Sequence, residues 1–419
     1  MSLRLIAGLD IGNGYVKGAV DTFENLEKKM RGQSREKPKG IDFPSGVARI
    51  VYSHDIQTEP ADAKPVIDDI FNQMDVSFGS NLVSDTTRRL FGKRGLASGS
   101  MIEEFDVDSL LSKAQQDLSG VLVLGSIAGQ ALKEYYDSNK KLPDKTIDVD
   151  VRVALALPIA EYMRYRKEYA ANFKNGTHMV TFHNFTIPVN VNITFSDVQV
   201  LAEGASAQYA INAKGTEFME AMLADVRRLG EPLEGITAQD VLAATNTVGI
   251  DIGEGTVNFP VFQNGKFNLD ASVTFDRGYS SVINNALDVL GPRYMFKNRK
   301  QLVDFMQTPA TNITRNKHMA CETEIAKHAY GFAMEISEQF SRVMRKVGAF
   351  TEVVYIYGGG ATALKEYLHP LLLKEVKGFG GEGTMFPVLY LDSRYSRHLN
   401  REGLYIIAEI LAKKLIAGK

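Results

Sequence analysis

The sequence predicts an α/β protein built from two related domains, and three observations point there. "GLDIGNGYVKGAV" at residues 8–20 is echoed by "GIDIGEGTVNFPV" at residues 249–261, with seven of the thirteen aligned positions identical. The offset, 251 − 10 = 241 residues, is too long for a solenoid period and fits two related domains instead. Strand-like runs alternate with helical ones in both halves, and a strand–glycine–helix passage, "EVVYIYGGGATAL" (352–364), follows the second echo.

Taken in order, "RLIAGLDIG" reads as a buried strand ending in a glycine turn, with "YVKGAVDTF" as its hairpin partner. The basic, turn-rich stretch 25–40 is expected as an exposed loop, and "IDFPSGVARIVY" returns to strand composition. Residues 54–75 turn acidic, with Pro60 and Pro65, and read as a surface insertion. "DSLLSKAQQDLSGVLVLGSIAGQALKEYYDSN" has helical periodicity with a break expected near Gly120. "IDVDVRVALAL" is a strand stopped by Pro158, followed by the amphipathic helix "AEYMRYRKEYAANF". "HMVTFHNFTIPVNVNITF" alternates as a hairpin does, and "DVQVLAEGASAQYAINA" is expected as a small-residue helix. The second half repeats the plan: strand, turn and hairpin over 247–275, a helix from about Tyr279, and a long helix over 318–347. It closes with the strand and glycines of 352–364 and the helix "REGLYIIAEILAKKLIAG".

Composition narrows the function classes. The 419 residues suffice for two or three domains, and a net charge of −2 gives no whole-chain pull toward nucleic acid or an anionic membrane. The clusters "RRLFGKR" (88–94) and "KNRK" (297–300) read as solvated surface. Cys321 is the only cysteine, which excludes an intramolecular disulfide and favours a reducing compartment; a buried, inert thiol is expected. The opening "MSLRLIAGLD" has the pattern of neither a signal peptide nor a membrane span, so a cytoplasmic location is expected.

The chemistry lies in the echoes. Each places an Asp at the end of a strand and glycines two and four residues on, Asp10–Gly12–Gly14 and Asp251–Gly253–Gly255. Glycines there let backbone N–H groups converge on an anion, and the Asp can meet the cation that accompanies a phosphate. Mg²⁺ keeps several waters and needs one or two carboxylates besides phosphate oxygens. Lys17 adds charge from the first loop. A duplicated hairpin would also need glycines for its turn alone. "GGG" at 358–360 permits close backbone approach to a ligand, with a helix N-terminus behind it.

On these residues the chain resembles the actin, heat-shock chaperone and sugar-kinase superfamily of ATP-binding proteins. The resemblance implies a duplicated actin-like (ribonuclease H-like) fold whose two domains flank a nucleotide cleft. The phosphate-1 loop is then Asp10–Lys17, the phosphate-2 loop Asp251–Thr256 and the adenosine loop Gly358–Gly360. Within the superfamily it is most similar to bacterial plasmid-segregation actins of the ParM type, through "ALPIAEYMRYR" (156–166), "VLAEGASAQ" (200–208), "FPSGVA" (43–48), "FGKRGLASG" (91–99) and "NREGLYIIAEIL" (400–411). The basic stretch at 25–40 and the acidic one at 54–75 depart from the family pattern. Implied boundaries are 1–198 with 395–419 for the first domain, a subdomain inserted at about 34–118, and 199–394 for the second. Helices near 199–213 and 394–419 cross between them.

Residue by residue, the resemblance implies that the N–H groups of Gly12, Asn13 and Gly14 hold the β-phosphate of ATP or GTP, with Lys17 near the β/γ oxygens. Gly253, Glu254, Gly255 and Thr256 hold the γ-phosphate, and Gly358, Gly359 and Gly360 the adenosine. Asp10 and Asp251 orient Mg²⁺ through its waters. Glu203, on a connecting helix, activates the attacking water, and Asp251 is the second catalytic residue. Glu322, Glu324 and Lys327 are open alternatives for the ribose. The implied activity is an ATPase that polymerises head to tail with copies of itself and moves plasmid DNA through a ParR-type adaptor on a centromere-like site, without direct DNA or membrane contact, in the bacterial cytoplasm. A metabolite or sugar kinase of the same fold, and a chaperone-like interaction protein, are the alternative readings.

Overall fold

The computed structural model describes residues 2–50, 62–106, 109, 111–228, 233, 235–379, 386–391 and 396–418. The chain separates into two compact units, one of residues up to Ala210 together with those from Asn400 onward, the other Ile211–Leu399.

In the first unit, the strands are β1 (Leu3–Ile11), β2 (Tyr15–Thr22), β3 (Lys39–Pro44), β4 (Val47–Ile50), β5 (Asp75–Gly79), β6 (Arg88–Leu90), β7 (Ile102–Glu103), β8 (Ile147–Leu157), β9 (His178–Phe182) and β10 (Val189–Ala202). They form one sheet in the order β3-β2-β1-β8-β10-β9-β5-β6-β4-β7, with β1, β8 and β10 parallel to one another. Strand periodicity sorts β1 onto two cores. Leu5, Ala7 and Leu9 pack with Val121, Leu122 and Leu124 of the helix Asp117–Asn139. Ile6, on the other face, packs with Leu404, Tyr405 and Ala408 of the helix Leu399–Ala417. Gly403 lets this last helix reach the backbone after β10, where a Cβ would stand 1.8 Å from the Ser206 carbonyl oxygen.

The second unit contains β11 (Thr247–Ile252), β12 (Val257–Phe259), β13 (Val261–Gln263), β14 (Lys266–Phe267), β15 (Val273–Phe275), β16 (Val353–Tyr357) and β17 (Val388–Tyr390). The order is β14-β13-β11-β12-β15, with β16 also beside β11 and β17 beyond it; β11, β16 and β17 run parallel. Ile250 and Ile252 share a core with Phe332, Ile336 and Phe340 of the helix Arg315–Val347 and with Leu364, Leu368 and Leu372 of the helix Ala361–Phe379.

Several expectations need correction. The stretch 25–40 is not all loop: Thr22 caps a helix, Phe23–Met30, because Phe23 and Leu26 have a core to bury in. Of the expected insertion, residues 54–61 lie outside the described residues. Beyond them, Ala63–Asp68 and Ile70–Gln73 are short helices that bury Ile67 and Ile70. The helix Asp117–Asn139 runs unbroken through Gly120, which packs against Leu82. Residues 199–202 complete β10, since their backbone pairs with β8 as far as Leu157.

"RRLFGKR" is not solvated surface either. Arg88 donates to the fully buried Asp75 at 2.8 Å, Arg94 reaches the same carboxylate at 3.3 Å, and buried Arg89 bridges Asp85 and Glu103. In "KNRK", Lys297 and Lys300 are exposed. Cys321 is buried in the helix Arg315–Val347, and burial pushes its thiol up. No helix among the described residues is long and apolar enough to cross a membrane.

Candidate functional site

The two echoes fold alike. β1 delivers Asp10 opposite Lys17 of β2, and β11 delivers Asp251 opposite Asn258 of β12. Asn258 therefore stands, at the same offset, where the first hairpin has its lysine. In the first turn the Gly12 N–H donates to the Tyr15 carbonyl at 3.0 Å; in the second, Gly253 N–H donates to Thr256 at 2.9 Å. The resemblance assigns these two amides to phosphate. In the structure both are engaged within their turns.

The loop carbonyls show which amides are turned outward. In the first loop the Ser45 hydroxyl donates to the Gly12 carbonyl at 2.6 Å and its N–H to the Gly14 carbonyl at 3.0 Å. In the second loop the Gly253 and Glu254 carbonyls accept from the N–H groups of Tyr279 and Ser280, each at 3.0 Å, where the helix Ser280–Tyr294 begins. A trans peptide sets its N–H opposite its C=O, and no cis peptide occurs among the described residues. The Asn13 N–H therefore faces away from Ser45, and the N–H groups of Glu254 and Gly255 face away from the helix. The Glu254 side chain is engaged with Arg299 at 2.8 Å, leaving its backbone as the relevant part.

Ionisable groups gather at the carboxyl ends of the first unit's parallel strands, the usual place for ligands in an open α/β sheet. Asp10 is 9% exposed; burial, joined by the Glu203 charge, raises its carboxyl above the ordinary value despite Lys17, Lys113 and Arg401. Glu203 is not on a helix: it follows β10 directly, its N–H bonded to the Leu157 carbonyl at 2.7 Å, ahead of the helix that starts at Ala207. Lys113, 7% exposed, donates from Nζ to Glu203 Oε1 at 2.8 Å. Burial alone would depress that ammonium, but Glu203, Asp10 and Glu161 together raise it. Glu161, on the helix Ile159–Lys174, accepts from the N–H groups of Lys113 and Ala114 at 3.0 and 3.3 Å; burial raises its carboxyl. No motif marks Lys113 in the sequence. Ser45 and Glu161 stand inside quoted segments whose chemistry is visible only in three dimensions.

The glycine triplet follows β16, the parallel neighbour of β11, with Tyr357 in register with Asp251. Gly358 has φ +99°, and a Cβ there would lie 2.6 Å from Asp251 Oδ1 and 2.5 Å from the Ile252 carbonyl oxygen. Only glycine fits. Gly360 N–H donates to the Ile252 carbonyl at 2.9 Å, fastening the triplet to the second loop, while Gly359 faces open space. Of the ribose alternatives, Glu324 is engaged with Lys327 and His328 at 3.1 and 3.0 Å.

Among the described residues no cluster of three or more His, Cys, Asp or Glu could hold a metal ion by itself. Taken singly, each loop offers one carboxylate and outward amides, and the first has lysines beside it, donors of the kind that a hydrated cation and a phosphate take.

The family model described as "Actin like proteins N terminal domain" matches residues 8–205, and that described as "Archaeal actin homologue MreB-like, C-terminal" matches residues 249–370. The chain is an actin-like protein. No curated protein sequence matches it. Among solved structures, the actin-like protein Alp7A is similar with TM-score 0.66 at 15% identity, over 100% of this chain and 99% of that one. The archaeal actin homologue Ta0583 gives TM-score 0.62 at 14% identity, over 97% and 99%. Bacillus thuringiensis ParM with ADP gives 0.55 at 18% identity, over 98% and 99%. At these identities the likeness is one of fold, and the fold is actin-like over the whole chain.

Proposed function

We propose that this actin-like protein binds and hydrolyses ATP or GTP with Mg²⁺ and assembles into dynamic filaments that segregate plasmid DNA through a ParR-type adaptor, in the bacterial cytoplasm. The observation that carries the reading is the pair of hairpins, offset by 241 residues, whose turns close with the same hydrogen bond and whose outer amides face away from their anchors. The solved ParM relative with ADP supports a nucleotide as the ligand.

In this reading Asn13, Gly14 and Lys17 serve the β-phosphate, and Glu254, Gly255 and Thr256 the γ-phosphate. Gly12 and Gly253 set the turns that aim these groups. Gly358, Gly359 and Gly360 form the adenosine loop. Asp10 and Asp251 hold the waters of a magnesium ion, which when bound neutralises phosphate charge. Glu203 orients the attacking water and takes its proton, the part of phosphoryl transfer to water that needs a base. Contact of unlike surfaces that does not close on itself yields a filament of identical copies.

The test is right-angle light scattering of the purified protein after addition of Mg-ATP or Mg-GTP, with the diphosphates as controls and phosphate release followed alongside. A rise that decays as phosphate appears supports the reading. A flat trace with nucleotide bound removes the filament. Asp251→Ala is expected to abolish turnover, and unchanged turnover would remove the second-loop assignment.

A further inference from the structure

We propose that Lys113 is a positioning residue for hydrolysis, its ammonium group holding the Glu203 carboxylate in the orientation that activates water. The inference rests on the reading of Glu203 as the water-activating residue and adds a group that no motif announces.

Lys113 is a buried cation, and burying a charge is costly unless it is paired and hydrogen-bonded. Its Nζ lies 2.8 Å from Glu203 Oε1 and 5.4 Å from the centre of the Phe105 ring. The ammonium is delivered by a fixed piece of backbone. Ser112 and Gln115 cap the single turn Lys113–Gln115 reciprocally, and the Glu161 carboxylate grips the N–H groups of Lys113 and Ala114 at once. The other end of the pair is fixed too, since the Glu203 N–H is tied to the last residue of β8. A glutamate side chain turns about three torsions. Anchoring both backbones and joining the side chains by one charge-assisted bond restricts the carboxylate to one direction. A group that must meet a water in a defined geometry gains from such a restriction, because a misplacement of about 1 Å can lower a rate about 10²-fold.

The experiment measures phosphate release with Mg-ATP, giving kcat and KM, for the full chain as wild type, Lys113→Gln, Lys113→Arg, Glu203→Gln and the double variant Lys113→Gln/Glu203→Gln. Circular dichroism and thermal unfolding check each fold. Lys113→Gln is expected to lose about 10²-fold in kcat with KM little changed, and Lys113→Arg to recover part of the loss. The double variant is expected to be as slow as Glu203→Gln alone, because a residue acting through another contributes nothing once that other is gone. If Lys113→Gln fails to fold, the double variant, which removes both charges of the pair, and Lys113→Arg carry the comparison. Losses that multiply in the double variant, or a raised KM with kcat intact, would overturn the inference and place Lys113 on the phosphate itself. Absence of turnover by the wild type with either Mg-ATP or Mg-GTP overturns the hydrolysis reading, and the inference with it. Wild-type turnover matched by Lys113→Gln overturns the inference alone.

Discussion

Replacing Asp10 by Asn should stabilise the ligand-free protein while weakening its response to nucleotide. Asp10 is buried at the end of β1, and desolvation with the Glu203 charge outweighs Lys17, Lys113 and Arg401, so its carboxyl is raised above 3.8. A raised carboxyl binds its proton more tightly in the folded state than in the unfolded one, so the ionised form costs stability at neutral pH. That cost fades as pH falls through the raised value and is gone below 3.8, once the unfolded chain is protonated as well. Asparagine keeps the shape and removes the charge, so the variant is expected to gain stability at neutral pH. For a unit made of residues up to Ala210 and from Asn400 onward, each 1 kcal/mol gained raises Tm by about 2–4 °C. A ligand at 100 times its Kd adds about 2.7 kcal/mol to the native state. The variant, lacking the carboxylate for magnesium's waters, should lose most of that increment. The assay is thermal unfolding of both proteins at neutral and at mildly acidic pH, with and without Mg-ATP. A variant less stable than wild type at neutral pH, or an advantage unchanged in acid, would refute the desolvation argument. An undiminished Mg-ATP increment would refute the role at magnesium.

Ser45→Ala keeps the N–H bond to Gly14 but leaves the Gly12 carbonyl without its hydroxyl donor, at a cost of about 1–3 kcal/mol in urea unfolding and a raised KM for nucleotide. Gly358→Ala forces φ +99° on a residue whose Cβ meets Asp251 and Ile252; a loss of at least about 2 kcal/mol is expected, against a gain of about 0.4–1 kcal/mol for Gly359→Ala in open space. Equal losses for the two would remove the close-approach argument. Asp75→Asn strips the buried partner of Arg88 and Arg94 and should cost about 3–5 kcal/mol in urea unfolding, with no change in Kd for nucleotide measured where the variant is still folded.

The duplicated hairpins, the parallel strands and most of the helices were legible because each is written in local pattern: alternation in β8, a proline at its end, glycines at fixed spacing. What escaped was set by tertiary packing. Phe23–Met30 is a helix because a core accepts Phe23 and Leu26, against a run of charge that reads as loop. β10 extends through Ala202 because β8 offers hydrogen bonds along its whole length, and small residues at 202–207 do not decide between strand and helix. The basic run at 88–94 looked solvated because its partner, Asp75, lies thirteen residues before Arg88 and is visible only as a cross-strand neighbourhood. Lys113 was beyond reach for the same reason: its partner is ninety residues away, and a lone lysine in "SKAQQ" has no pattern to distinguish it.

The two halves also show what a repeated motif leaves unsaid. Backbone is the part they share: strand, Asp, a turn closed by one glycine amide, and a return strand in the same register. Side chains divide the labour. The first unit sets Lys17 opposite its Asp and adds Lys113, Glu203 and Glu161 around it, so its loop is surrounded by charges that can balance a phosphate and move a proton. In the second unit Asn258 replaces the lysine and bonds within its own sheet to Thr256 and Thr274, Glu254 is engaged with Arg299, and Gly358 presses its backbone against Asp251. Its loop can offer amides and one carboxylate, but little else. A motif search sees two equivalent loops, whereas their surroundings differ: ionisable side chains gather at the first, and an ion pair, sheet contacts and a glycine backbone hold the second. Adding a lysine at position 258 would set it opposite the buried Asp251, as Lys17 is opposite Asp10, but would not supply the neighbours Lys113, Glu203 and Arg401 that act on Asp10.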